Sequence, residues 1–394
     1  MQNVYDTHLL KTHNRADVFF EHGDGAYLFT KNGDKYLDFT AGVAVTSLGH
    51  NNKELNEALK AQVDKIWHFS NLYQIEIANI FAKNLCEKTF ADVAFFSNSG
   101  AEAVEAGIKM IRRYFYVQNK PHKNQIIAFK NSFHGRTIAT ISAAGNPKYI
   151  EGFEPKLQGF VHAEYGNLES VKNLITESTA GILLEPIQGE GGVSFAGWDF
   201  LKSIRKICDE HGILLMLDEI QCGYGRTGKL FAHEWADVAP DILCAAKAIA
   251  NGIPLAATLA TQNVANCMTP GTHGTTFGCN PLAMAVGIKV LEIMHRDSFF
   301  ENSQKISDIF ESTLRGLHYD FPNIIISTRG FGFLRGIELH QSYINTKIVE
   351  ILRGHKLLAT VALNNIVRFL PPLIITESHI REFDEIMRSV LRGI

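Results

Sequence analysis

Ile213-Leu214-Leu215-Met216-Leu217-Asp218-Glu219 decides the fold of this chain. Five consecutive apolar residues without polar alternation describe a strand buried on both faces, as in a parallel sheet covered by helices. The run stops at Asp218, as expected of a strand whose carboxyl end opens into a ligand crevice. A second run, Ile242-Leu243-Cys244-Ala245-Ala246, ends in the same manner at Lys247 and turns through Asn251-Gly252-Ile253-Pro254.

Outward from these two, the same rhythm covers residues 93 to 260. Val93–Phe96, Ile126–Phe129 and Ile182–Leu184 read as further strands, and Ala101–Gln118, Leu168–Glu177 and Asp199–His211 as helices between them. Such alternation predicts βαβ units and an α/β fold with a large, mostly parallel sheet. The first 60 residues differ: Ala26–Thr30 and Tyr36–Phe39 flank Lys31-Asn32-Gly33-Asp34, an Asn-Gly hairpin signal. Beyond Gly278 a long helical region runs to about Leu317, followed by strands near Ile324–Thr328, Leu334–Leu339 and Val367–Leu370 and a helix over His379–Leu391. The two chain ends are expected to build one smaller α+β domain (residues 1–60 and 279–394) around a large domain of residues 61–278.

The chain has 394 residues, 46% of them hydrophobic and 20% charged, the profile of a globular protein with a sizeable core. A net charge of −3 with both signs dispersed gives no footprint for nucleic acid or an anionic membrane. Six scattered cysteines show neither a CxxC nor a metal-ligand spacing, so neither a metal nor a disulfide framework is expected, and a reducing cytoplasm fits. Met1 to Phe20 mixes charged and polar residues without a signal-peptide core, and no apolar stretch of about 18 residues exists to suggest a membrane span.

A lone Lys after an apolar strand is ordinarily a solvated end, and a lone Asp there a turn former or helix cap. Together they permit specific chemistry. A lysine can hold a pyridoxal aldehyde as a Schiff base, and a buried carboxylate can keep a pyridine nitrogen protonated. Lys247 and Asp218 are therefore the candidate catalytic pair of a pyridoxal 5′-phosphate site.

Other segments supply the rest of such a site. Val93-Ala94-Phe95-Phe96 leads into Ser97-Asn98-Ser99-Gly100-Ala101 and a helix, so Ser99, Gly100 and Ala101 form a phosphate cradle or an ordinary cap. Ser132-Phe133-His134-Gly135-Arg136 puts a ring at Phe133 for stacking and a guanidinium at Arg136 for a substrate carboxylate. His134 has no partner in the sequence and reads as structural. Gly223-Tyr224-Gly225-Arg226-Thr227-Gly228-Lys229 satisfies GxGxxG and approaches a Walker A spacing. The Walker reading fails at Leu230, and the dinucleotide reading fails because Asp218–Gln221 intervenes, which leaves a glycine-rich turn. Glu190 follows another buried strand on a flexible loop, and Arg368 sits where the C-terminal segment closes over the crevice.

In order from Asp38 to Pro372 the blocks DFTAGVAVTSLGH, NSGAEAVE, SFHGRT, EPIQGEGG, LDEIQCGYGRTG, KAIANGIP, HGTTFGCNP and VRFLPPL resemble the class III, ω-amino group of pyridoxal phosphate-dependent aminotransferases. The resemblance implies fold type I of the pyridoxal phosphate-dependent transferases. It implies Lys247 as the cofactor-binding lysine, Asp218 as the partner of the pyridine nitrogen, Gln221 beside its O3′, Phe133 on its ring and Ser99, Gly100 and Ala101 on its phosphate. Thr276 would reach the phosphate of a partner subunit, which implies a homodimer with shared active sites, and Thr275 would lie near substrate. Arg136 would bind the substrate α-carboxylate. Glu190 would pair with Arg368 while the amino donor is bound, releasing it for 2-oxoglutarate.

The implied reaction moves the terminal amino group of N2-acetyl-L-ornithine to 2-oxoglutarate, giving N-acetyl-L-glutamate 5-semialdehyde and L-glutamate, a step of arginine biosynthesis. Succinylornithine, N-succinyl-diaminopimelate and 4-aminobutyrate are the alternative donors. Three positions depart from the pattern: Ala101 stands where relatives commonly carry Thr, Cys279 where Gly is frequent, and Val43 where ornithine aminotransferases have a substrate-reading Tyr.

Overall fold

The computed structural model describes residues 8–394; Met1–Thr7, part of the stretch read above for targeting, lie outside the described residues. An N-terminal meander of β1 (Phe20–Asp24), β2 (Tyr27–Thr30) and β3 (Lys35–Asp38) follows, then β4 (Val93–Ser97), β5 (Gln125–Phe129), β6 (Phe160–Ala163), β7 (Thr179–Leu184), β8 (Leu214–Asp218), β9 (Ile242–Ala245) and β10 (Ala256–Ala260). The C-terminal part contributes β11 (Ile325–Phe331), β12 (Leu334–Leu339), β13 (Leu357–Leu358), β14 (Thr360–Ala362) and β15 (Ile366–Phe369).

The central sheet has seven strands in the order β4-β10-β9-β8-β7-β5-β6. Strands β9, β8, β7, β5 and β6 run parallel, while β10 pairs antiparallel with both β9 and β4. The alternation of side chains along β8 explains why its sequence is apolar without interruption. Leu214 and Met216 pack on one face with Val104, Ile108 and Ile111 of the Gly100–Val117 helix. Leu215 and Leu217 pack on the other with Leu201 and Ile204 of the Trp198–His211 helix. Each such buried side chain contributes ~1.5–3 kcal/mol of transfer free energy, and a polar residue on either face would lose it.

Both chain ends meet in one sheet, β1-β2-β3-β13, because Leu357 and Leu358 pair in parallel with Leu37 and Asp38. Strands β11-β12-β15-β14 form the third sheet. The helical region expected from Gly278 to Leu317 is two helices, Pro281–Met294 and Phe299–Asp320. The break falls at Ser298, which takes a left-handed φ of 63° and ends any continuous helix. The helix expected over Leu168–Glu177 stops at Lys172, with Asn173 as its cap.

Candidate active site

The carboxyl ends of β4, β8 and β9 converge on one cavity of about 280 Å³. Its lining includes Ser99, Gly100, Ala101, Phe133, Asp218, Gln221 and Lys247, seven residues separated by up to 148 positions in the chain. Lys247 opens a short 3-10 turn directly after β9 with φ of 51°, a conformation an L-residue adopts only where its surroundings impose it. Burial lowers the Lys247 amine to about 8, against the pull of Glu190 and with a push from Arg368. A tenth or so of the amine is then neutral and nucleophilic at pH 7.

Asp218 is 3% exposed. Its Oδ1 accepts from the Ile220 N–H at 3.1 Å, and its Oδ2 lies 2.7 Å from His134 Nδ1. His134 is therefore not an incidental structural residue. It holds the orientation of Asp218, and its other ring nitrogen is buried without a hydrogen-bond partner. This contact is not legible from the sequence, since 84 residues separate the two. Glu185 was also missed. Its carboxylate accepts from the Phe133 N–H at 3.0 Å, which fixes the backbone of the aromatic wall. Burial and then the Asp218 charge push the Glu185 carboxyl well above the usual range, favouring the neutral acid.

At the start of the Gly100–Val117 helix, Ser99 is the cap. The Glu102 carboxylate folds back to accept from Asn98 N–H at 3.0 Å and Ser99 Oγ at 2.9 Å. The first helical N–H groups, at Gly100 and Ala101, have no intrahelical acceptor and lie in the cavity wall, where the helix dipole favours an anion. Backbone donors thus remain although Ala101 has no hydroxyl. The Ala101 side chain lies against Gly135, where an added Cβ would come within 2.7 Å of the Ala101 Cβ.

Arg368, on β15, is 2% exposed. One Nη1 donates to Glu190 Oε1 at 2.6 Å and to Gln221 Oε1 at 3.0 Å, and its Nε donates to Thr360 Oγ1 at 3.1 Å. The Gln221 side chain reaches Arg368 across Gly189, where an added Cβ would fall 1.7 Å from Gln221 Oε1, so a side chain at that position would push the Gln221 amide from its place. The Glu185–Val193 loop is buried along nearly its whole length rather than flexible.

Arg136 is exposed at the edge of the site. Its guanidinium lies 4.2 Å from the centroid of the Tyr149 ring and 5.6 Å from that of Phe133. Thr275 and Thr276 do not line this chain's cavity: Thr275 Oγ1 accepts from the Gly278 N–H at 3.1 Å, and Thr276 is exposed. Cys279 has φ of 63°, which explains a preference for Gly there. Gly223–Lys229 is a buried turn. The Gly223 N–H donates to Glu219 O and the Gly228 N–H to Gly225 O, so these donors are unavailable to a phosphate. Among the described residues no group of His, Cys, Asp or Glu is arranged to hold a metal ion.

The cavity fits pyridoxal 5′-phosphate on its donor set: open N–H groups at a helix start, an aromatic face, a buried carboxylate and a lysine in one wall. The profile of the family "Aminotransferase class-III" matches residues 10–391. An acetylornithine aminotransferase of Brucella melitensis is 50% identical over 95% of this chain and 92% of its own length. An N-acetylornithine aminotransferase structure from Stenotrophomonas maltophilia is 34% identical, covers 96% of this chain and 97% of that one, and has a TM-score of 0.84. An ornithine aminotransferase structure from Toxoplasma gondii with partial occupancy of PLP at its active site is 31% identical, covers 96% and 91%, and has a TM-score of 0.92.

Proposed function

The chain belongs to the class-III aminotransferase family, an enzyme family dependent on pyridoxal 5′-phosphate, and from that premise we propose that it moves the terminal amine of N2-acetyl-L-ornithine to 2-oxoglutarate. The products are N-acetyl-L-glutamate 5-semialdehyde and L-glutamate. The observation that carries this reading is the Glu190–Arg368 pair beside Lys247, because it lets one pocket receive two differently charged substrates.

The cofactor supplies an electron-withdrawing ring to the carbon that loses or gains the amine. The Gly100 and Ala101 N–H groups with Ser99 would hold its phosphate, Phe133 would pack on its ring, Gln221 would lie near its O3′, and the Asp218 carboxylate would keep its ring nitrogen protonated. His134 orients Asp218. Lys247 would hold the cofactor covalently through its amine, and the same amine, when free, would move a proton off and onto the reacting carbon. A donor such as N2-acetylornithine has no carboxylate on its reacting carbon, so the pair stays closed and Arg368 is neutralised. 2-Oxoglutarate does carry one, and Arg368 swings from Glu190 to accept it. Arg136 binds the substrate carboxylate remote from the reaction, and Thr275 borders the same region.

A second copy of the chain completes the site in this account. The 67–73 segment is tied to the loop at Thr275 by Asn71 Nδ2, which donates to Thr275 O and Gly278 O. Leu72 is 88% exposed and Tyr73 69%, and Trp67 and Phe277 are exposed beside them, a patch too apolar to leave to water. A homodimer buries it and lets Thr276 reach the partner's phosphate site. All six cysteines are free, which supports a reducing cytoplasm as the compartment. Among the described residues no helix is long and apolar enough to cross a membrane.

The test is steady-state formation of L-glutamate from 2-oxoglutarate with each donor in turn. N2-acetylornithine is expected to give the highest kcat/KM. A higher value for succinylornithine, N-succinyl-diaminopimelate or 4-aminobutyrate would reassign the donor.

A further inference from the structure

Between β3 and the first long helix, Ala41, Gly42, Val43 and Ala44 have φ of 45°, 62°, 64° and 63°. The Val43 and Ala44 N–H groups donate to Thr40 O at 2.8 and 3.0 Å, and the Val45 N–H to Ala41 O at 2.7 Å. This is one turn of left-handed helix. L-residues avoid it because Cβ crowds the following carbonyl, and a β-branched side chain at φ above zero is a true outlier. Only Gly42 adopts it without cost.

Such a conformation persists only where the surroundings over-determine it, and here the clamps are visible on both sides. Before the turn, the buried Asp38 carboxylate accepts from Thr40 N–H at 2.9 Å, Thr40 Oγ1 at 2.6 Å and Ala41 N–H at 3.0 Å. Its second oxygen is 2.8 Å from His50 Nε2, which closes residues 38 to 50 into a loop. After the turn, Asn251 accepts from Leu48 N–H at 2.7 Å and donates to Gly49 O at 3.0 Å. The buried Arg226 donates to Ser47 Oγ at 2.9 Å and to Pro371 O. The C-terminal segment adds Leu370 N–H to Phe39 O and Leu373 N–H to Ser47 O, each at 2.7 Å.

What these clamps hold in place is the back of the ion pair. Val43 and Ala44 pack into a small apolar cluster with Ile187, Val193, Ile366 and Leu370. Ile187 and Val193 bracket Glu190 in its loop, and Ile366 and Leu370 bracket Arg368 on and after β15. The next residue, Val45, lines the cavity. We propose that the left-handed turn is a strained brace that keeps the Glu190–Arg368 pair in register, with Val43 as the positioning residue. The functional half of this inference rests on the role given to that pair above; the strain does not.

The experiment takes the holoenzyme and its Val43→Gly and Val43→Ala variants through two readouts. Glycine has no Cβ to crowd the carbonyl, so Val43→Gly is expected to melt a few degrees above Val43→Ala, the reverse of the order in ordinary helix. In single turnover, L-glutamate carries a carboxylate on its reacting carbon and N2-acetylornithine does not. Both variants are expected to shift the ratio of their rates about tenfold toward glutamate, the low end of what a charge-assisted hydrogen bond contributes. Val43→Ala melting at or above Val43→Gly would remove the strain, and equal changes in both rates would reduce the turn to scaffolding. Should Val43→Ala fail to fold, Ala44→Gly replaces it: melting at or above the wild type supports the brace, and melting below it overturns the strain. A wild-type enzyme inert to N2-acetylornithine would instead sink the donor assignment, and the melting order would still judge the strain.

Discussion

Glu190→Gln removes the carboxylate that contacts Arg368 and keeps the size of the side chain. The remaining contacts of that guanidinium, Gln221 Oε1 and Thr360 Oγ1, are uncharged acceptors. The 2.6 Å bond is charge-assisted, a class that contributes ~1.5–3 kcal/mol, and the amide oxygen of the variant keeps only a neutral bond of ~0.5–1.5 kcal/mol. The Glu190 side chain is 27% exposed, so water screens part of the charge; a difference of ~1 kcal/mol corresponds to about 5-fold in binding. A substrate with a carboxylate on its reacting carbon must displace Glu190 before meeting Arg368. In the variant that competition is gone. Half-saturation by L-glutamate, read from the decay of the bound cofactor's absorbance in single turnover, is expected to fall by about that factor. Half-saturation by N2-acetylornithine should not fall, because its reacting carbon offers Arg368 nothing. If both fall together, or if glutamate binds more weakly, the account of Arg368 as a movable charge fails.

Lys247→Ala is expected to melt near the wild type, lose turnover and release its cofactor on dialysis; retained turnover would contradict the role of Lys247. Capture of added pyridoxal 5′-phosphate by the apoprotein should accelerate as pH rises through about 8, because the neutral amine attacks and burial places its titration there, and should level off above; a rate flat from about pH 7 to 9 would contradict this. His134→Phe leaves Asp218 Oδ2 without its donor in a buried site at ~1–3 kcal/mol, whereas His134→Asn retains an N–H donor. The Phe variant should melt lower than the Asn variant, and equal melting would remove His134 from its positioning role. Leu72→Glu combined with Tyr73→Glu should shift sedimentation toward monomer and weaken cofactor retention, since the partner's Thr276 is lost with the interface; an intact dimer would contradict the proposed assembly.

Two of the strands that hold the site were legible because β8 and β9 are runs of apolar residues up to the site, and a run of that kind has few other fates. Strand β10 was not. Ala256-Ala257-Thr258-Leu259-Ala260 offers only Thr258 among the β-branched and aromatic residues that signal a strand, and it exists because small side chains fit between β4 and β9. Lys247 and Asp218 declared themselves by their position after strands. His134 did not, because its meaning lies in a partner 84 residues away, and neither did Glu185, whose partner Phe133 lies 52 residues away. The left-handed turn was invisible for a related reason: nothing in Ala41-Gly42-Val43-Ala44 asks for φ above zero beyond one glycine, and contacts from Asp38, Arg226 and Asn251 impose it.

The central claim is tested most directly by mixing the holoenzyme, without any keto acid, with N2-acetylornithine and, separately, ornithine, succinylornithine and 4-aminobutyrate, and following the cofactor's absorbance through one turnover. The account predicts rapid loss of the band with N2-acetylornithine and slow loss with ornithine and 4-aminobutyrate. An unchanged band with N2-acetylornithine, while another of these amines bleaches it, would contradict the account.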